Sequence, residues 1–149
     1  MTLEERINQD LKTAIKAKDQ AALRGLRAIK AAIQTFNTSG SGQILDQGRE
    51  WQLLQKLVKQ RRESLDIYER ENREDLAAKE REEIDIIESY LPQQMSEADI
   101  EAELRRIIEE TGAESMKDMG KVMSSATREM AGRADGKTIS ALARKLLTA

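Results

Sequence analysis

Between Gly132 and Thr138 the chain reads Gly-Arg-Ala-Asp-Gly-Lys-Thr, the segment that comes nearest to a chemical motif. Glycine before a Gly-Lys-Thr run invites comparison with a phosphate-binding loop, whose amides curl around the phosphates of a nucleotide between a strand and a helix. Here one spacer residue is missing, and a helical pattern with Met123, Ala126 and Met130 stands where the strand should be. Both defects touch the mechanism, so nucleotide hydrolysis is not expected. Gly132 reads instead as a helix stop, and Asp135 with Gly136 as the turn and cap that open the next helix. A double role also stands. A helix N-terminus with Arg133 and Lys137 beside it can hold a backbone phosphate of a nucleic acid.

The distribution of charge bears on that second role. Ser96 to Glu114 carries seven acids against Arg105 and Arg106, a balance of -5. From Ser115 to Ala149, Lys117, Lys121, Arg128, Arg133, Lys137, Arg144 and Lys145 face only Asp118, Glu129 and Asp135, a balance of +4. A basic last third inside a chain of net charge -2 is the footprint that phosphate binding requires. Met1 to Gln34 is basic too, with seven Lys or Arg against four acids. Aromatic residues are interleaved with neither stretch, which disfavours stacking on an unpaired strand and favours a folded RNA read by shape and phosphate. The last helix offers few side chains suited to base edges beyond Arg144 and Lys145, so sequence-specific DNA binding is not expected.

Ser115 and Asp118 repeat a capping pattern and open a helix whose one face carries Met119, Met123, Ala126 and Met130, with Met116 close by. Methionine fills irregular gaps between helices, and core packing is its ordinary role. A partly exposed methionine groove for a partner is the alternative. Gly120 costs about 1 kcal/mol inside this helix relative to alanine, which a close approach of another backbone or a ligand would explain.

Other chemistry is excluded by composition. The chain has no cysteine and no histidine. Disulfides, thiolate metal sites, histidine-based triads, zinc hydrolase sites and haem ligation therefore fall away. No catalytic residue, metal site or cofactor is assigned.

The elements that must position these residues are helical. Valine occurs only at Val58 and Val122 and four residues are aromatic, which leaves little to build a sheet. Thr2 and Glu5 predict a capping box for a first helix facing inward through Leu3, Ile7, Leu11 and Ile15. Asp19 caps a second, with Leu23, Leu26, Ile29, Ile33 and Phe36. A polar loop from Asn37 to Gly42 follows. Asp46 caps a third, carrying Trp51, Leu54, Val58, Leu65 and Tyr68. Asn72 is the expected cap of a fourth, with Leu76, Ile84, Ile87 and Leu91; its Lys79-Glu80-Arg81-Glu82-Glu83 run reads as a solvated face. Pro92, the only proline, marks the boundary between modules. Ser96 and Asp99 open a helix through Ile100, Leu104 and Ile107, which Gly112 ends. After the methionine helix, Ile139, Leu142 and Leu146 line the last one. The expected fold is all-α and multihelical: a module of about four helices at 1–91, a linker at 92–95 and a three-helix tail module at 96–149. The acidic start Met1-Thr2-Leu3-Glu4-Glu5-Arg6 is unlike a signal peptide, and no apolar stretch approaches the ~20 residues of a membrane span. A cytoplasmic location and no membrane partner are expected.

Several segments resemble the signatures of the GatB/YqeY family. They are Ser115-Met116-Lys117-Asp118-Met119-Gly120-Lys121-Val122-Met123 and Gly132-Arg133-Ala134-Asp135-Gly136-Lys137 in the tail. Upstream lie Asp10-Leu11-Lys12-Thr13-Ala14, Lys16-Ala17-Lys18-Asp19, Lys59-Gln60-Arg61-Arg62-Glu63-Ser64 and Tyr90-Leu91-Pro92. The loop at Asn37 to Gly42 departs from the family pattern. The resemblance implies two helical parts like the tail of the B subunit of glutamine-dependent aspartyl/glutamyl-tRNA amidotransferase, a tail that helps to hold the tRNA. Carbon-nitrogen ligase activity with glutamine as amide donor belongs to the complete enzyme; this sequence has no glutaminase signature and no nucleotide loop. The resemblance places the tRNA role on Lys117, Lys121, Arg133 and Lys137, with Arg144 and Lys145 adding charge. An amidotransferase or aminoacyl-tRNA synthetase complex is the larger partner it implies. A tRNA-binding accessory module is thus the leading expectation. A helical protein-interaction adaptor and an enzyme, or an obligate part of one, are the alternatives.

Overall fold

Short polar side chains begin most helices of the computed structural model, which describes residues 1–149, and left-handed residues end several of them. The helices are α1 (Leu3–Ala17), α2 (Gln20–Asn37), α3 (Gln47–Arg70), α4 (Glu74–Glu88), α5 (Glu97–Thr111), α6 (Met119–Glu129) and α7 (Gly136–Thr148). A single 3₁₀ turn, Met116–Asp118, precedes α6, and there is no strand. The chain divides into two compact units, Met1–Pro92 and Gln93–Ala149.

In the first unit Thr2 and Glu5 close a capping box on α1, and Asp19 and Asp46 accept N–H bonds at the starts of α2 and α3. The expected cap at Asn72 is not one. Asn72 has φ 56°, its N–H donates to the Glu69 carbonyl at 3.2 Å, and the Arg73 N–H donates to the Tyr68 carbonyl at 2.8 Å. That pair of bonds closes the end of α3, and asparagine tolerates the left-handed conformation it demands. Arg73 then precedes α4 with no side-chain cap.

Helices α1, α2 and α4 pack in series, and α3 lies chiefly against α4. Their shared core holds Ile7, Leu23, Leu26, Ile29, Ile33, Leu54, Val58, Ile84 and Ile87. Each such side chain contributes about 1.5–3 kcal/mol on leaving water. Ile15, expected inside, is 58% exposed; Ala14 takes the buried position because the inner stripe of α1 drifts as 3.6 residues per turn requires. Helix α2 approaches α4 closely at Gly25. A Cβ built there would lie 2.6 Å from Ile86 Cγ2 and 2.7 Å from Ile86 Cβ.

The charged run on α4 is not wholly a solvated face. Glu83 turns inward, 3.9 Å from both Arg24 of α2 and Arg61 of α3. Glu80 Oε2 is buried without a hydrogen-bond partner. Burial pushes the Glu80 carboxyl above its ordinary pKa, and the Glu83 charge adds to the rise while Arg61 opposes it. Near the unit's end the Tyr90 hydroxyl donates to Asp10 Oδ2, and the Arg6 guanidinium sits 4.9 Å from the Tyr90 ring centre.

In the second unit α5, α6 and α7 pack mutually around Ile100, Leu104, Ile107, Val122, Ala126, Met130, Ile139, Ala143 and Leu147. Leu142 and Leu146 pack only at the edge of this core, and Ala143 and Leu147 hold the centre. The small Ala126 and Ala143 let the helices approach closely, a reason for burial that an apolar-periodicity reading ranks below leucine. Residues 93–95 belong to this unit. The Met95 N–H donates to the Arg133 carbonyl at 2.9 Å, and Gln94 Nε2 donates to the Gly132 carbonyl at 2.8 Å.

Candidate nucleic-acid interface

The tail residues singled out by type and spacing fall into two groups. The first builds the connections between helices. Gly112 ends α5 at φ 69°. Ser115 and Asp118 then form a capping box around the 3₁₀ turn, in which Asp118 Oδ2 accepts from the Glu114 N–H at 2.9 Å and the Ser115 N–H at 3.4 Å. Those two amides hold the Asp118 carboxyl below the usual carboxylate range, with Lys121 and Lys117 adding to the effect. Lys121 Nζ donates to the Thr111 carbonyl at 3.3 Å, a cation on the negative end of α5. Arg133 Nε reaches the Gln93 carbonyl at 3.5 Å. Gly132 is buried at φ 75°, a backbone conformation that glycine adopts without strain.

Gly120 does not serve a close approach. A Cβ there would meet nothing within 4 Å, so neither a helix nor a packed backbone accounts for it. Nor do the methionines form a groove: Met130 is buried, Met119 and Met123 pack against the core, and only Met116 is exposed.

The start of α7 departs from a phosphate cradle. Asp135 is its N-cap, with its carboxylate accepting from the Thr138 N–H at 2.9 Å and the Thr138 hydroxyl at 2.8 Å. An acid of the chain itself thus occupies part of the N–H array that would otherwise face an anion.

The second group points outward. Lys137, Arg144 and Lys145 are exposed on α7. Lys137 and Arg144, seven residues apart, lie on one side of the helix, about 10 Å along its axis. Lys121 and Arg128 repeat the seven-residue spacing on α6, and both are exposed. Arg128 lies outside the motif segments; the basic balance of the tail includes it, and this spacing aligns it with Lys121. None of these cations shares in an ion pair of the unit. Those pairs gather instead on Arg105 and Arg106, which engage Glu101, Glu103, Glu110 and Glu129. Three carboxylates around Arg106 raise its pKa further. The bases of acidic α5 are therefore spent internally, whereas those of α7 remain available to an external anion.

No three acids gather in an arrangement suited to a metal ion, and no helix is long and apolar enough to cross a membrane.

Comparison with known proteins places this geometry in a family. An aligned stretch of 106 residues is 34% identical to altered inheritance of mitochondria protein 41, mitochondrial, of Lachancea thermotolerans, covering 70% of this chain and 57% of that protein. The Saccharomyces cerevisiae protein of the same name is 32% identical over 102 residues, covering 67% of this chain and 55% of the relative. That of Vanderwaltozyma polyspora is 31% identical over 120 residues, covering 76% and 64%. The chain thus spans little more than half the length of the first two relatives. Their names carry a mitochondrial address, which overturns the expectation of a cytoplasmic one. That expectation rested on an acidic N-terminus unlike a signal peptide and on the lack of an apolar stretch long enough to span a membrane, which speak to secretion and membrane insertion and not to an organelle. The family model described as Yqey-like protein matches residues 4–147, both helical units included, and the chain belongs to that family.

Proposed function

We propose that the second unit is a non-catalytic tRNA-binding accessory module. The observation that carries this reading is the exposed set Lys137, Arg144 and Lys145 on α7, free of ion pairs in a unit whose other helix α5 neutralises its own bases. Cations held outward on a rigid helix, with no aromatic platform beside them, suit the phosphates of a folded RNA. Lys121 and Arg128 on α6 extend the set, while Lys117 and Arg133 contribute charge from the connecting turns. An amidotransferase or aminoacyl-tRNA synthetase complex is the host we propose for such a module.

The test is fluorescence-anisotropy titration of the whole chain with folded tRNA across a salt series, with duplex DNA as control. The mitochondrial names of the relatives make an organellar tRNA a second probe. Binding should prefer tRNA and weaken as salt rises. Lys137→Ala with Arg144→Ala should lower affinity across many tRNAs and reduce the salt slope by about 2, roughly one unit per lost phosphate contact. Unchanged slope and affinity in a folded double variant would remove α7 from the interface. Amide transfer onto misacylated tRNA by the purified chain alone would overturn the non-catalytic reading.

A further inference from the structure

The first unit leaves one long helix face uncovered. Helix α3 packs on α4 and meets α2 only lightly. Along its other side Arg49, Gln52, Leu53, Lys56, Leu57 and Gln60 border a groove of about 420 Å³ whose opposite wall is α2. These positions follow the i, i+3, i+4, i+7, i+8, i+11 pattern of a single helical stripe, and they run about 16 Å along α3. Ala32 and Phe36 of α2 complete an apolar floor with Leu53 and Leu57. Beside the groove Gln43 leads into Ile44, which is 80% exposed and whose carbonyl accepts from Arg49 Nη1 at 3.1 Å.

We propose that this groove docks an acidic amphipathic helix of a partner protein. The length of the stripe matches one face of a helix of three turns, with apolar side chains in the floor and polar ones on the rim. The charge of the rim selects the sign of the partner. Arg49 and Lys56 line the groove and no acid does. Arg49 already pairs with Asp46 at 2.9 Å, and Lys56 has no ion pair. An acidic side chain flanking the apolar stripe of a partner would meet Lys56 directly. One available cation over an apolar floor is poor footing for an RNA backbone, whose affinity grows with the number of phosphates neutralised. The site is independent of the cations on α7, and tRNA binding and helix docking can fail separately.

The probe is a designed peptide of about twelve residues with Leu at i, i+3, i+4 and i+7 and Glu on the flanks, together with its Glu-to-Lys counterpart. Amide chemical shifts of the isotope-labelled full chain report where each binds. The acidic peptide should perturb residues 32–36 and 49–60 and bind more tightly than the basic one. Lys56→Glu, a surface change that leaves the core intact, should weaken the acidic peptide about tenfold and improve the basic one. Leu57→Asp should abolish both, with circular dichroism confirming that it folds. Shifts elsewhere, no shifts, or an unaltered preference in Lys56→Glu would overturn the proposal. So would sedimentation showing the groove buried between two copies of this chain, or a groove that takes a fatty acid and refuses the peptide.

Discussion

Gly25→Ala adds one methyl group where α2 lies close against Ile86 of α4. The new Cβ would stand 2.6 Å from Ile86 Cγ2 and 2.7 Å from Ile86 Cβ, well inside ordinary van der Waals contact. Rotation about χ1 of Ile86 can move Cγ2 but not Cβ, so the helices themselves must separate. Overpacking of this kind costs about 1–3 kcal/mol. Alanine returns about 1 kcal/mol through its better helix propensity. Because the obstruction sits at a branched Cβ, the upper part of the cost applies, and the net loss is about 1–2 kcal/mol. Thermal unfolding should then begin earlier, with Tm lower by about 3–6 °C, and the urea midpoint should fall with an unchanged m value. Ile86→Ala in the Gly25→Ala background should recover part of the loss. The recovery is incomplete because the Cβ–Cβ contact remains, and a coupling of at least about 0.5 kcal/mol is expected. A Gly25→Ala variant as stable as the parent, or a cycle with no coupling, would refute the close-approach argument.

Tyr90→Phe removes the hydroxyl that donates to Asp10 and should cost about 1.5–3 kcal/mol in chemical denaturation, as for other bonds to charged groups. Burial, with Asp10, raises the Tyr90 pKa above its ordinary value. Its contribution is therefore complete below about pH 10 and lost as alkali rises beyond it, which alkaline unfolding of Tyr90→Phe against the parent can isolate. Glu80→Gln removes a charge whose buried oxygen has no partner, so stability at neutral pH should hold or improve by urea unfolding. Asp135→Ala strips the cap of α7 and should cost about 1 kcal/mol; an unchanged midpoint would show that the cap is redundant. Asp118, with its pKa lowered, stabilises the turn above about pH 4 and loses that contribution as pH falls through its folded value, which acid titration of Asp118→Asn against the parent can isolate.

Helix starts were legible because capping is local: Thr2, Asp19, Asp46, Ser96, Ser115 and Asp135 each bond to an amide within three residues. Asn72 shows the limit, since the same side-chain chemistry also suits the left-handed residue that ends a helix. Glycine was ambiguous for a tertiary reason. The sequence offered Gly120 as a point of close approach, yet the neighbour that matters lies across the core at Gly25, opposite a residue 61 positions away. Glu83 looked solvated within a charged run because nothing local reveals Arg24 and Arg61 converging on it. For the candidate interface, residue type and spacing located the cations. Only the fold separated Lys121 and Arg133, which reach backbone carbonyls, from Lys137, Arg144 and Lys145, which do not.

The bonds from Gln94 and Met95 to the loop at Gly132 and Arg133 join points 38 residues apart in the chain. They decide where the tail can be cut free. A fragment begun at Ser96 would keep all three helices and still leave two carbonyls of the last connection without these donors. One begun at Gln93 carries its own latch. Transplanted onto another protein, the cassette must therefore include the three residues ahead of its first cap, or the segment bearing Arg133 will fray and carry the start of α7 with it.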